Sequence, residues 1–256
     1  MNLSLVHALA WIVLSTLFVT GGTYRVVYGG IKLYRKKRTD SSYFLSRIVQ
    51  TGPQKEALPT IYLAELMNLS ADRPIHYGYF DPFLAEKKLR ACPVIKEAQV
   101  HLVQPDTVYV DYTVRQPLAW LYDFENTAID EEGTPFPVTP FFTPKNLPEI
   151  YLGLDQITWN SPLEGKGIEL ALTLLKILAE VRLPVRRLDL SHAFAPSLGQ
   201  REIVLITEDH GFSRTLRFSL KNYAQELGNY LTLKSRLPPT SQVIDLRLPQ
   251  LAFIEG

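Results

Sequence analysis

Asp130, Glu131 and Glu132 stand in a row before Gly133, and adjacent carboxylates are suited to general acid–base chemistry or to holding a cation. The same residues lead into a proline-rich stretch, a context that favours the solvent-exposed tip of a hairpin. We therefore predict an exposed turn at these positions and no catalytic pair.

The other residue types that carry chemistry form no pattern of a known site. The five histidines lack metal-ligand spacing, and the chain contains no Walker loop and no Gly-x-Ser-x-Gly or His-x-x-x-His motif. Cys92, the single cysteine, excludes an internal disulfide, and its place on the apolar face of a helix predicts a buried thiol. The sequence predicts a protein that is not an enzyme, with no cofactor, metal or small-molecule substrate.

Charge is distributed unevenly along the 256 residues, which are 46% hydrophobic and suffice for one or two packed domains. A formal net charge of +1 provides no global field that would recruit nucleic acid. No acidic residue precedes Asp40, whereas six cations do: Arg25, Lys32, Arg35, Lys36, Lys37 and Arg38. The rest of the chain is therefore mildly acidic.

Residues 1–27 are the predicted membrane anchor, and 28–43 are a basic and polar juxtamembrane joint. The run Leu3–Val19 is apolar on every helical face, and about 20 residues at 1.5 Å each cross the ~30 Å hydrocarbon layer. A cleaved signal peptide is disfavoured because a basic n-region is missing and no Ala-x-Ala site follows the apolar run. We predict a single transmembrane helix that places these residues in lipid: Leu5, Trp11, Ile12, Leu14, Leu17 and Phe18.

A small α+β module is predicted after the joint. Asp81 is a suitable N-cap before Pro82, and Pro93 stops the helix that follows. Strict alternation predicts two strands on either side of Gln104–Thr107. The predicted order is a short strand from Leu45 that ends at Gly52-Pro53, helices at 58–69 and 82–92, and strands at 98–102 and 108–114.

A larger module with a mixed β-sheet and two helices is predicted to follow without a flexible linker, which makes the fold class α+β. The prolines between 135 and 148 predict an irregular, stiff surface segment. The chain is predicted to end in a strand pair or a bulged strand over 242–248 and 251–254, with Pro249 between the two stretches. The other predicted elements are strands at 118–121, 128–130, 185–190, 203–207 and 215–218, and helices at 167–181 and from Ser219.

Four short motifs in one order resemble the FtsQ/DivIB family of bacterial cell-division proteins. A strand that opens with Pro93-Val94 leads to a strand that closes in Arg115-Gln116-Pro117-Leu118-Ala119. An Asp-x-x-Gly turn follows at 130–133, and Ile244-Asp245-Leu246-Arg247 resembles the Val-Asp-Leu-Arg strand near the family's end. The resemblance extends from about residue 3 to 254, and the shared order of the motifs is its basis.

The resemblance implies a POTRA domain over 44–116 and a β domain over 117–256, both outside the cytoplasmic membrane. It implies a divisome scaffold at the septum, without a reaction of its own. The POTRA domain would serve recruitment, and the last strands would bind FtsB- and FtsL-like proteins by strand addition. Through them the protein would act indirectly on septal peptidoglycan synthesis by FtsW and FtsI.

The implied partner-binding residues follow the Asp-Leu-Arg motif. Family members usually carry Tyr, Ser and Gly there, so Leu248 and Leu251 predict more apolar contacts, and Pro249 donates no ladder hydrogen bond. The six implied residues are Arg247, Leu248, Gln250, Leu251, Ala252 and Phe253.

Three alternatives to the divisome scaffold stay open at this point. The cations after the apolar run favour a cytoplasmic body by the positive-inside tendency, which keeps a cytoplasm-facing adaptor as an alternative. A POTRA-bearing component of an envelope transport or secretion system is the second alternative, and an envelope enzyme that uses Asp130 or Glu132 is the third. Only two residues precede Leu3, so a short cytoplasmic tail or an upstream start site is expected for a family member.

Overall fold

A long N-terminal helix, α1 (Leu3–Thr39), opens the computed structural model. The structure describes residues 3–39, 43–52, 55–209, 212–238 and 242–255. Within the described part, one helix is long and apolar enough to cross a membrane, over Ala10–Leu33. At 1.5 Å per residue, α1 is about 55 Å long. It continues through most of the predicted joint because no proline interrupts it.

A three-stranded sheet with two helices follows α1, in the predicted order. Its elements are β1 (Arg47–Thr51), α2 (Thr60–Leu66), α3 (Pro82–Arg90), β2 (Ile95–Val103) and β3 (Thr107–Val114). The sheet order is β1-β3-β2, and β1 pairs with β3 in parallel. The Asp81 carboxylate accepts from the amides of Phe83 and Leu84, which confirms the predicted N-cap of α3. Cys92 is buried, as predicted.

The rest of the chain forms a nine-stranded mixed sheet and two helices. The elements are β4 (Ala119–Leu121), β5 (Thr127–Ile129), β6 (Pro135–Pro137), β7 (Glu149–Tyr151), α4 (Lys166–Glu180), β8 (Val185–Asp189), β9 (Ile203–Asp209), β10 (Phe212–Phe218), α5 (Tyr223–Leu233), β11 (Val243–Asp245) and β12 (Phe253–Glu255). The strand order is β12-β11-β10-β9-β8-β7-β4-β5-β6. The pairs β4–β7, β7–β8 and β10–β11 are parallel, and the other neighbouring strands of this sheet are antiparallel.

One hydrophobic core lies under this sheet. α4 contributes a stripe at spacings of three and four, as its sequence predicts: Ile168, Ala171, Leu174, Leu175 and Leu178. The strands of the sheet contribute side chains to the same core, including Leu121, Ile150, Leu188, Leu205 and Leu216. Full burial of such a side chain is worth about 1.5–3 kcal/mol, so this face holds the sheet and helices together.

Several element boundaries differ from the predictions for local reasons. α2 is shorter than 58–69, because Pro59 is extended at its start and Asn68 takes a positive φ after its end. α5 begins at Tyr223 instead of Ser219, because the Ser219 amide and hydroxyl donate to the Glu226 carboxylate. The proline-rich segment is not irregular throughout, since Pro135–Pro137 form β6 with Phe136 fully buried.

The chain divides into two compact units. The first combines Met1–Thr51, Pro59–Lys87 and Gln99–Asp111, and the second combines Gly52–Leu58, Lys88–Ala98 and Tyr112–Gly256. The sequence instead predicts one boundary between 116 and 117, and that boundary stays a prediction.

Candidate functional site

The carboxylate row at 130–132 is divided between a buried and an exposed role. The prediction of an exposed turn is wrong for Asp130, which is buried. Its Oδ2 accepts a hydrogen bond from Arg115 Nη1 at 2.7 Å, and the side chains of Asp130 and Arg115 are only 3% and 10% exposed. Its Oδ1 accepts from the amides of Glu132 and Thr134 at 3.0 and 2.9 Å. Asp130 therefore holds a turn, and it neutralises a buried guanidinium whose desolvation would otherwise be costly.

Arg115 joins three of the motifs that carry the family resemblance. Its Nε donates to the Pro93 carbonyl at 3.1 Å, and its backbone amide donates to the Val94 carbonyl at 2.9 Å. Together with the ion pair to Asp130, these bonds tie the Pro-Val, Arg-x-Pro and Asp-x-x-Gly segments to one another. The spacing of the motifs thus has a structural cause.

Glu132 belongs to the exposed part of the turn. Lys96 Nζ lies 2.8 Å from Glu132 Oε1, and this hydrogen bond lowers the pKa of Glu132 and raises the pKa of Lys96. A general acid near neutral pH needs the opposite shift. Among the described residues, no group of three or more His, Cys, Asp or Glu side chains is placed to hold a metal ion.

The C-terminal segment forms one edge of the nine-stranded sheet, and the predicted strand pair is confirmed. β12 pairs antiparallel with β11, with Ile254 opposite Ile244, and no described strand lies on its other side. All three β12 residues are exposed, with Phe253 at 59% and Ile254 at 51%. An edge strand with unpaired backbone groups and exposed apolar side chains is a template for another strand.

A turn precedes β12 and contains three of the six implied partner-binding residues, Leu248, Gln250 and Leu251. The Leu251 amide donates to the Leu248 carbonyl at 3.2 Å, and Gln250 has φ +63, which together with Pro249 is typical of a type II turn. Pro249 therefore lies outside the strand ladder, so its missing N–H removes no ladder bond. Leu248 and Leu251 are 51% and 58% exposed, whereas Ala252 packs partly against the core.

Arg247 is held in place by acidic side chains of the same sheet. Its Nη2 lies 2.6 Å from Asp245 Oδ2, and its Nη1 lies 3.1 Å from Glu202 Oε2. The hydrogen bond to Asp245 is the largest cause that raises the pKa of Arg247. Burial pushes the pKa of Asp245 up, but the hydrogen bonds from Arg247 outweigh burial and leave that pKa below its usual value.

A groove of about 490 Å³ runs between the turn and α5. The turn side is mostly apolar, with Gln250 as its polar residue. The opposite side, formed by α5 and the preceding Asn222, is mostly polar and includes the Glu226 carboxylate beside the amides of Gln225 and Asn229. We define the C-terminal edge as β12, the turn 248–251 and this groove. Sequence reasoning named the turn but missed Ile254 and the amide face of α5. The apolar stretch Leu251–Ile254 was a signal for Ile254, whereas no local signal linked α5 to the turn.

The predicted membrane residues lie in α1. Trp11, Ile12, Leu14, Leu17 and Phe18 are all exposed and lie within Ala10–Leu33. Leu5 lies in α1 before this stretch, and its side chain is outside the described part. An apolar surface of this length, uncovered by protein, is what a bilayer span requires.

Comparison with known proteins adds no assignment to this geometry. No protein-family model matches the chain, and no curated protein matches it. The functional inference therefore depends on the C-terminal edge, on α1 and on the ordered motifs.

Proposed function

We propose that this protein is a non-enzymatic scaffold of bacterial cell division, anchored in the inner membrane by α1 and enriched at the septum. Its body lies outside the cytoplasm, and its C-terminal edge binds other division proteins. The observation that carries the proposal is the open β12 edge, where Phe253 and Ile254 are exposed beside unpaired backbone.

The proposed partners are FtsB- and FtsL-like division proteins, through which the scaffold would support septal peptidoglycan synthesis by FtsW and FtsI. A partner strand added to β12 gains affinity from main-chain hydrogen bonds and selectivity from alternate side chains. The apolar turn residues Leu248 and Leu251 border the adjacent groove. A partner segment continuing beyond the added strand would find apolar contacts there and hydrogen bonds on α5.

The strand–helix–helix–strand–strand order of β1 to β3 supports a POTRA domain with a recruiting role. The contacts of Arg115 with the Pro93 carbonyl and with Asp130 support membership of the FtsQ/DivIB family, because they join three of its short motifs in one set of hydrogen bonds.

Capture of the partners by the full-length chain tests the proposal. The chain is purified in detergent together with the FtsB- and FtsL-like proteins of the same genome. We expect co-purification with the wild type, and loss of it with Leu248→Glu plus Leu251→Glu. Leu198→Glu is the matched control, because Leu198 is 74% exposed in the same unit but lies outside the C-terminal edge. Equal capture by all three chains contradicts the proposal.

Topology is tested separately, by a reporter fused after Gly256 that is active only outside the cytoplasm and by one that is active only inside. An external C-terminus is expected. An internal C-terminus contradicts the scaffold mechanism and favours the cytoplasm-facing adaptor, in agreement with the basic residues at 35–38.

A further inference from the structure

An aromatic cluster lies in the first compact unit, just after α1 in sequence. The rings of Tyr43 and Phe44 lie 6.3 and 5.5 Å from the ring of His76, and the Tyr79 ring lies 5.8 Å from it. A β-bridge between Phe44 and His76 fixes the two backbone segments together. We define the aromatic patch as Tyr43, Phe44, His76, Tyr79, Phe83 and Leu84.

The patch presents large side chains to solvent from an ordered backbone. Phe83 is 76% exposed, Tyr79 is 61% exposed and Leu84 is 48% exposed. Phe83 and Leu84 lie in the first turn of α3, where both amides donate to the Asp81 carboxylate. Phe83 and Leu84 follow Tyr79 by four and five residues, and exposed large apolar side chains that recur over so short a stretch mark an interaction surface.

The length of the chain limits how far the patch lies from the end of α1. Tyr43 follows Thr39 by four residues, which span at most about 14 Å. The segment from Leu33, the end of the apolar stretch, to Thr39 adds about 9 Å of helix. The residues Arg35 to Arg38 in this segment favour anionic lipid head groups. The first ring of the patch is thus tethered within about 23 Å of the proposed span.

The chemistry of the patch suits the boundary between lipid and water. Tyrosine and histidine combine an apolar body with a polar tip, as aromatic side chains at membrane interfaces do. Phe83 and Leu84 add fully apolar surface. We infer that the aromatic patch docks into the interfacial region of the bilayer that α1 crosses. This inference rests on the proposed membrane anchoring of α1 and not on the division partners.

Site-directed spin labelling of the full chain tests the inference. All labelled variants carry Cys92→Ser, so that the introduced cysteine is the single labelling site. Each is reconstituted into nanodiscs that contain anionic lipid, with one copy of the protein per nanodisc. Leu84→Cys reports on the patch, Leu14→Cys reports on the bilayer, and Ile61→Cys on α2 is the aqueous control, since Ile61 is 72% exposed. Relaxation by oxygen, which concentrates in lipid, is compared with relaxation by a water-soluble nickel chelate.

We expect the label at 84 to resemble the label at 14, with high oxygen and low nickel access, and the label at 61 to show the reverse. Adding Phe83→Ser should lower the docked-to-undocked ratio at 84 by about tenfold, because an apolar anchor is lost. Nickel access at 84 equal to that at 61 overturns the inference. Protection from both reagents also overturns it, because it indicates a protein partner or second copy. The label at 14 shows separately whether the anchor itself fails.

Discussion

The two edges of the nine-stranded sheet differ in whether their outer backbone is accessible to another strand. At one edge, β6 is Pro-Phe-Pro, so two of its three residues lack an N–H, and Pro135 and Phe136 are buried. At the other edge, all three β12 residues carry an N–H and all three are exposed. Because proline and burial both prevent strand addition, the sheet is closed at β6 and open at β12.

An arginine–aspartate pair stands near each edge, and the two pairs differ in the same sense. Arg115 and Asp130 are almost completely buried, beside the turn between β5 and β6. Arg247 and Asp245 retain 29% and 21% side-chain exposure beside β11. The closed edge thus has a pair that supports the fold, and the open edge has a pair that water and a partner can reach.

Breaking the buried pair should have the largest effect. Arg115→Ala leaves the Asp130 carboxylate buried without its guanidinium, and we expect it to lower the free energy of unfolding by about 3–5 kcal/mol. Urea denaturation of the full chain measures the loss. Arg247→Ala is the matched variant and should cost only about 0–1 kcal/mol, because Asp245 remains accessible to water. Similar losses in the two variants contradict the contrast between the edges.

Closing the β12 edge should have the next largest effect, and it acts on binding. Ile254→Pro gives β12 the residue type found at β6, and we expect capture of the FtsB- and FtsL-like partners to weaken by about tenfold or more. Ile254→Lys keeps the N–H and adds a charge, so it should weaken capture less. Unchanged capture by Ile254→Pro shows that β12 is not the binding edge. Thermal unfolding of both variants checks that the sheet remains intact.

Two turns with positive φ allow a finer comparison of the edges. Gly133 has φ +78, and an added Cβ would lie 3.1 Å from Ile168 Cγ1, so Gly133→Ala should cost about 1–2 kcal/mol. Gln250 has φ +63 in the turn before β12, so Gln250→Gly relieves strain and should change stability by less than about 1 kcal/mol. Thermal unfolding measures both changes. A larger effect at 250 than at 133 contradicts the expected difference between the two turns.

Periodicity in the sequence was sufficient to predict most of the elements. The apolar stripe of α4 and the alternation in β2 and β3 are local signals, and each element formed close to where they indicated. The proline-rich segment differs most from the prediction, because prolines favour irregular structure, whereas Pro135 and Pro137 here flank the buried Phe136 in a strand. Proline is compatible with an edge strand, and whether a strand is at an edge depends on the whole sheet.

Burial of Asp130 was not predictable from its neighbours. The adjacent Glu131 and Glu132 are exposed, as expected of an acidic turn, and the decisive partner Arg115 lies 15 residues earlier. The candidate site likewise depends on residues that are distant in sequence. The turn residues could be named from a motif, whereas the groove requires α5, which only the fold brings next to the turn.

Acid should loosen the open edge slightly, through Asp245. Its pKa is lowered in the folded protein by the hydrogen bonds from Arg247, so the charged form contributes stability above the ordinary aspartate pKa of about 3.9. This contribution is lost as pH falls below that value and through the lowered pKa of Asp245. We expect wild type to exceed Asp245→Asn in stability at neutral pH by about 1 kcal/mol or less, and the difference to vanish in acid. Urea denaturation at a series of pH values measures it. Because Asp245 lies opposite Phe253 in the strand pair, hydrogen exchange should rise first in β12. An advantage for wild type that persists at the lowest pH would show that the carboxylate charge is not its cause.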